Sequence, residues 1–162
     1  MILYDQFRKR ASKLYDNQRT REKQRLLSSV PKGIRITLSP DEILPYSRQE
    51  LIDWLMEKVG LGAILCRYCH IPIDALSCVL DHVIPLTLGG PATLDNQQPI
   101  CSRCNTLKGE MMPDEFEELA LFLMNATPHL RSYVEECLLL GPQGKRAKFF
   151  PYIKKGRRET AA

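Results

Sequence analysis

Four cysteines stand as two Cys-x-x-Cys pairs, Cys66/Cys69 and Cys101/Cys104. A two-residue gap lets both sulfurs of a pair reach one ion from a tight turn, and four thiolates complete the tetrahedral shell of a structural zinc. Zinc clips of this kind separate their pairs by about 15–20 residues. Here 31 residues, 70–100, lie between them, so an extra element must be threaded through the clip. That element and the residues closing it carry a polar set a plain clip does not need: Asp81, His82, Asn96 and Asn105.

The threaded element, Ser77 to Leu86, is a strand-like apolar run interrupted by Asp81 and His82. An acid and an imidazole in a run made for burial are costly unless they are paired or ligate something. Adjacent strand residues face opposite sides, so both serve one site only if the run bends there, and Pro85 suits a bend. Gly89-Gly90-Pro91 makes a loop, and Leu94-Asp95-Asn96 leads back to the second cysteine pair. Asn105, Lys108 and Gly109 look like the opening of a short helix. Cys78 and Cys137 have no partner cysteines nearby and read as core. His70 follows a zinc pair whose shell is already full, and His129 reads as structural or exposed.

Elements on either side must hold this stretch. Residues 2–29 read as one long helix with an apolar stripe of Leu3, Phe7, Ala11 and Leu14. Beyond Tyr15 the stripe stops, so the second half, with Arg19, Arg21, Lys23 and Arg25, is expected either to fray in solvent or to lie on a phosphate backbone. Ile34, Ile36 and Leu38 alternate with polar residues, as in a short strand or extended connector. Pro40 and Pro45 limit regular structure up to Ser47. There a capping box, Ser47 with Glu50, starts a helix over 48–59 with Leu51, Trp54, Leu55 and Val59 on its core face, and Gly60 ends it. Pro113 opens a helix with Phe116, Leu119, Ala120 and Leu123 buried. Another runs from Thr127-Pro128 to about Leu140, with Tyr133, Val134, Cys137 and Leu138 apolar.

Charge is unevenly spread. The net +4 combines +7 over residues 1–35, −9 over 36–140 and +6 over 141–162. An acidic body with two basic ends suggests arms for a polyanion, Lys145, Arg146 and Lys148 belonging to the second, although solvated ends have the same composition. The apolar stretches are too short to span a bilayer, which takes about 20 residues. The N-terminus lacks the apolar core of a signal peptide, so an intracellular, reducing location is expected, where paired cysteines bind metal rather than each other.

The stretch DHVIPLTLGGPATLDNQQPICSRCNTLKG resembles the His-Asn-His (HNH) endonuclease motif in its zinc-stabilised ββα-metal form, the likeness covering Cys66 to Gly109. One departure is Asn105, where the name-giving pattern has histidine. The resemblance implies an α+β fold: a ββα-metal core with a four-cysteine zinc site, flanked by N- and C-terminal helices. It implies a basic N-terminal segment over 1–46, a nuclease domain over 47–140 and a basic tail over 141–162. His82 would be the general base and Asn96 would hold the loop and orient the His82 ring. Asp81 and Asn105 would bind one divalent cation, an amide oxygen suiting Mg²⁺ or Mn²⁺ better than Zn²⁺. Lys108 would contact phosphate or be solvated. The activity implied is metal-dependent hydrolysis of DNA by a cytoplasmic enzyme of a bacterial or phage-infected cell, without a membrane partner. The alternative is a zinc-stabilised nucleic-acid-binding module that does not cut, for which the cysteines alone would suffice.

Overall fold

The structure is a computed structural model and describes residues 2–139. The tail expected to carry Lys145, Arg146 and Lys148 lies outside the described residues. The chain divides into two compact units, residues 1–117 and 118 onward. None of the described helices is long and apolar enough to cross a membrane.

In the first unit, helix α1 (Tyr4–Ser28) packs on the one-turn α2 (Pro40–Ile43) and on α3 (Arg48–Lys58). Its buried face is Phe7, Ala11, Leu14 and Tyr15, continued by Gln18 and Glu22. This corrects the expectation that its second half buries little. The helical repeat runs on past Tyr15 with polar side chains on the inner face, and Leu3 is left outside, 69% exposed. A second correction is α2, which forms despite the prolines. Ser39 accepts from Glu42 N while the Glu42 carboxylate accepts from Ser39 N, and Pro40 sits at the first helical position, where no amide donor is needed.

Helix α3 follows its capping box, Glu50 N donating to Ser47 Oγ at 3.2 Å and Ser47 N to Glu50 Oε2 at 2.6 Å. Gly60, at φ 66°, takes the left-handed turn after it. The inner face is Leu51, Ile52, Leu55 and Val59. Trp54 is only half-buried, because Ile52 rather than the indole is turned inwards. Residues 34–38 form no strand. Ile34 and Ile36 are 59% and 41% exposed, so they are the extended connector.

Two antiparallel hairpins follow. The first pairs β1 (Ala63–Leu65) with β2 (Pro72–Asp74), and the sequence reading did not anticipate it. Its turn holds Cys66 and Cys69, closed by Cys66 N to Ile71 O at 2.9 Å and His70 N to Cys66 O at 3.0 Å. Asp74 Oδ1 then accepts from Leu76 N, Ser77 N and Ser77 Oγ, turning the chain into β3 (Cys78–His82). Strand β3 pairs with β4 (Gln97–Cys101), Cys78 opposite Cys101 and His82 opposite Gln97. Helix α4 (Ser102–Lys108) leaves β4 directly and packs on both strands, completing a ββα unit. It starts before Cys104, and Gly109 is its C-terminal stop rather than part of its opening. The fold is therefore α+β, and α1 lies in the same unit as this core.

Helix α5 (Pro113–Asn125) starts at the expected proline. In the second unit Leu119, Ala120 and Leu123 are buried, as are Val134, Cys137 and Leu138 of α6 (Pro128–Leu139), whereas Tyr133 is half exposed.

Candidate active site

The β1–β2 turn brings Cys66 and Cys69 against Cys101 at the end of β4 and Cys104 in the first turn of α4. Their four sulfurs lie within 4.8 Å of one another, the only such metal-ligating group among the described residues. Cys69 and Cys101 Sγ are 3.7 Å apart. Four sulfurs about 2.3 Å from a central zinc have tetrahedral edges of about 3.8 Å, so the spacing fits that ion. Backbone donors point at the sulfurs, Cys101 N at Cys66 Sγ (3.5 Å) and Cys104 N at Cys101 Sγ (3.3 Å). Bonding from Cys104 and from backbone amides brings the Cys66 thiol well below the usual thiol range. Cys104 is pushed up by its bond to that sulfur and Cys101 by burial, because further negative charge in the cluster is resisted. A dication at the centre removes that resistance. Cys78 and Cys137 are buried, and exposed His70 takes the turn's positive φ of 56°, away from the ligand group.

Beside this clip, β3 and α4 open onto a cleft of about 260 Å³ lined by Asp81, His82, Leu86 and Asn105 on one side. Asp81 is 8% exposed. Among the described residues both of its side-chain bonds fall on Oδ2, from Gln98 Nε2 (3.0 Å) and Lys108 Nζ (3.0 Å), so Oδ1 keeps its lone pairs. His82 ends β3, and burial holds its imidazolium below the ordinary histidine range, opposed in part by the charges of Asp81 and Glu22. A neutral ring that accepts a proton is the form a general base needs.

Asn96 is buried and clamps the loop between the strands. Its Oδ1 accepts from Ile84 N (2.9 Å), and its Nδ2 donates to Ile84 O (2.9 Å) and Pro91 O (2.8 Å). The bond to the His82 ring expected of Asn96 is absent among the described residues, because the amide is spent on the loop backbone. Gly90 makes the clamp possible: a Cβ there would lie 2.1 Å from Ile84 O and 2.9 Å from Asn96 Nδ2.

The model of the HNH endonuclease family matches residues 66–120, from Cys66 through the ββα unit into α5. Over those residues, about a third of its length, the chain is similar to the HNH family. No curated protein matches the chain. The ββα unit inside that match is the part that opens onto the cleft.

Two features of this HNH cleft depart from the sequence reading. Lys108 is fully buried, so it neither touches phosphate nor sits in solvent. Its ammonium donates to His82 O (2.8 Å) and Asp81 Oδ2 (3.0 Å), tying α4 to β3. Asp81 is further linked to the cysteine cluster, because Gln98 Nε2 also donates to Tyr68 Oη (2.9 Å) between Cys66 and Cys69. Tyr68 packs edge-on against Phe116, centroids 4.7 Å apart.

The second feature is α1, which lies outside the HNH match. Gln18, Arg21, Glu22 and Arg25 line the other side of the cleft. Arg21 and Arg25 were read as backbone-binding arm residues together with Arg19 and Lys23, which do not line it. Glu22 was not singled out at all. The available signal was its register, since 7, 11, 14, 18 and 22 fall on one helical face.

Proposed function

We propose that the chain is a metal-dependent DNA endonuclease that hydrolyses phosphodiester bonds to leave 5′ phosphate and 3′ hydroxyl ends. The observation that carries this is the convergence of Asp81, His82 and Asn105 on one cleft within an HNH segment. His82 accepts a proton from the attacking water. Asp81 Oδ1 and the Asn105 amide oxygen form an all-oxygen pair suited to a hard ion of the Mg²⁺ or Mn²⁺ type. Such an ion, when bound, stabilises charge on the phosphate and the 3′ leaving oxygen. Asn96 keeps the loop after His82 in place. The cysteines hold a separate structural zinc. Arg19, Arg21 and Lys23, with the basic tail, attract the DNA backbone and give affinity without sequence choice.

The test is cleavage of supercoiled plasmid with each divalent metal, followed by mapping of the ends. Nicked or linear product is expected with Mg²⁺ or Mn²⁺ and none from His82→Ala, whose thermal unfolding should match the wild type. Undiminished cutting by His82→Ala would remove His82 as the base. Tight DNA binding with no cutting under any metal would leave a binding module instead.

A further inference from the structure

We propose that Arg25 is a catalytic residue of the cleft, binding the scissile phosphate, and that Glu22 is its positioning residue. The proposal rests on the endonuclease reading and adds to it a half of the active site supplied by α1, outside the HNH segment.

The pair is asymmetric in a way that surface ion pairs are not. Glu22 is 5% exposed, while the Arg25 side chain three residues on is 48% exposed. An ordinary i,i+3 pair leaves both groups in water and contributes a few tenths of a kcal/mol. Here the carboxylate is withdrawn from solvent, which is costly unless its charge is met. Arg25 meets it with Nε to Oε1 (3.0 Å), Nε to Oε2 (2.9 Å) and Nη2 to Oε1. The buried acid therefore fixes where the guanidinium sits, over the cleft that holds Asp81 and His82.

One edge of the guanidinium is used by Glu22. Among the described residues Nη1 makes no bond, which leaves N–H donors to spare on a side chain that lines the cleft. Such donors match the oxygens of a phosphate. Without Arg25 the cleft wall would offer a polyanion the carboxylates of Glu22 and Asp81, and would repel the group to be cut.

Glu22 is better placed to hold Arg25 than to bind the cation itself. Both of its oxygens are occupied by the guanidinium, and the donor atoms of Glu22, Asp81 and His82 do not approach one another as a metal set does. Arg25 also differs from the arm residues. Contacts from Arg19 or Lys23 raise affinity and its salt dependence, whereas a donor fixed beside the reacting phosphate acts on the rate.

The experiment compares full-length wild type with Arg25→Lys, Glu22→Gln, the double variant and Arg19→Ala. Single-turnover cleavage of a labelled duplex is measured with Mn²⁺, and DNA affinity with Ca²⁺ in its place. Arg25→Lys keeps the charge and loses the fork, so its cleavage rate should fall about 100-fold with Kd held within about threefold. Glu22→Gln should slow cleavage by at least about tenfold, and the double variant should be no slower than Arg25→Lys. Arg19→Ala, in the arm that attracts the backbone, should raise Kd more than Arg25→Lys does. An Arg25→Lys rate close to wild type, a loss confined to Kd, or effects of the two substitutions that multiply would each overturn the proposal. If Glu22→Gln fails to fold, Arg25→Lys at its exposed position still decides the catalytic role, and Glu22→Asp decides the positioning role by the same comparison. A wild type that cuts while Arg25→Lys is unaffected overturns this inference alone. A wild type that does not cut overturns the endonuclease reading and this inference with it.

Discussion

The buried ammonium of Lys108 lends itself to a quantitative test, because its removal strands a carboxylate whose partners are known. Lys108 is 0% exposed and lies 3.0 Å from Asp81 Oδ2 and 2.8 Å from His82 O. Lys108→Met keeps most of the aliphatic stem and removes only the charge. Breaking a buried pair by deleting one partner costs about 3–5 kcal/mol. Gln98 still donates to Asp81, so the lower end, about 3 kcal/mol, is expected. At about 3–4 °C per kcal/mol for a chain of this size, the melting temperature should drop by about 10 °C. Two further measurements separate this from simple loss of packing. Asp81→Asn/Lys108→Met removes both charges and should recover more than half of the loss, since a neutral pair leaves no stranded ion. Added Mn²⁺ should raise the melting temperature of Lys108→Met more than that of wild type, because the unpaired carboxylate attracts the cation more strongly. A Lys108→Met protein melting within about 2 °C of wild type, or a double variant no more stable than the single, would refute the account.

The remaining predictions bear on other parts of the site. Gly90→Ala should cost at least about 2 kcal/mol in urea unfolding, since its methyl group must displace Ile84 O and the Asn96 amide; an unchanged midpoint would show that the loop yields freely. Cys101→Ser, or removal of zinc by a strong chelator, should abolish the cooperative thermal transition, because structural zinc supplies about 10–16 kcal/mol, as much as a domain's whole stability. Metal analysis should find one zinc per chain in wild type, and a metal-free protein that melts normally would contradict the assignment. Asp81→Asn should weaken Mn²⁺ binding at least about tenfold by calorimetry with zinc content unchanged, and equal Mn²⁺ affinity would exclude Asp81 as a ligand.

What could be read from the sequence was what is encoded locally. The cysteine pairs, the Ser47–Glu50 box and Pro113 each state their structure within a few residues, and each led to an element found in the fold. The one-turn helix at Pro40 carries the same kind of box at Ser39–Glu42, masked in the sequence by the flanking prolines Pro40 and Pro45. The role of Lys108 was not legible, because its burial depends on β3, some 26 residues away. Glu22 is a harder case: its helical register was visible, but an acid and a glutamine on an inner face read as solvent until the cleft they line is known. The β1–β2 hairpin is only three pairs long and is organised by the cysteine turn rather than by its own side-chain alternation.

These long-range dependencies explain why the cysteine cluster and the proposed catalytic residues share one short stretch. Helix α4 has seven residues, too few to be stable alone, since isolated helices below about 12–15 residues are marginal in water. Yet it carries Asn105 to the cleft and Lys108 beneath Asp81. Its start is fixed by Cys101 and Cys104, and its end by the Lys108 bonds to β3. Asn105 immediately follows Cys104, so a shift in the sulfur cluster displaces Asn105 relative to Asp81, the pair proposed to hold the cation. The long gap between the cysteine pairs follows from this arrangement: both strands must pass between them for the clip to seat the helix against the residues it works with. Helix α1 lines the other side through Glu22 and Arg25, so on the proposed reading the chemistry draws on a segment that the HNH match leaves out.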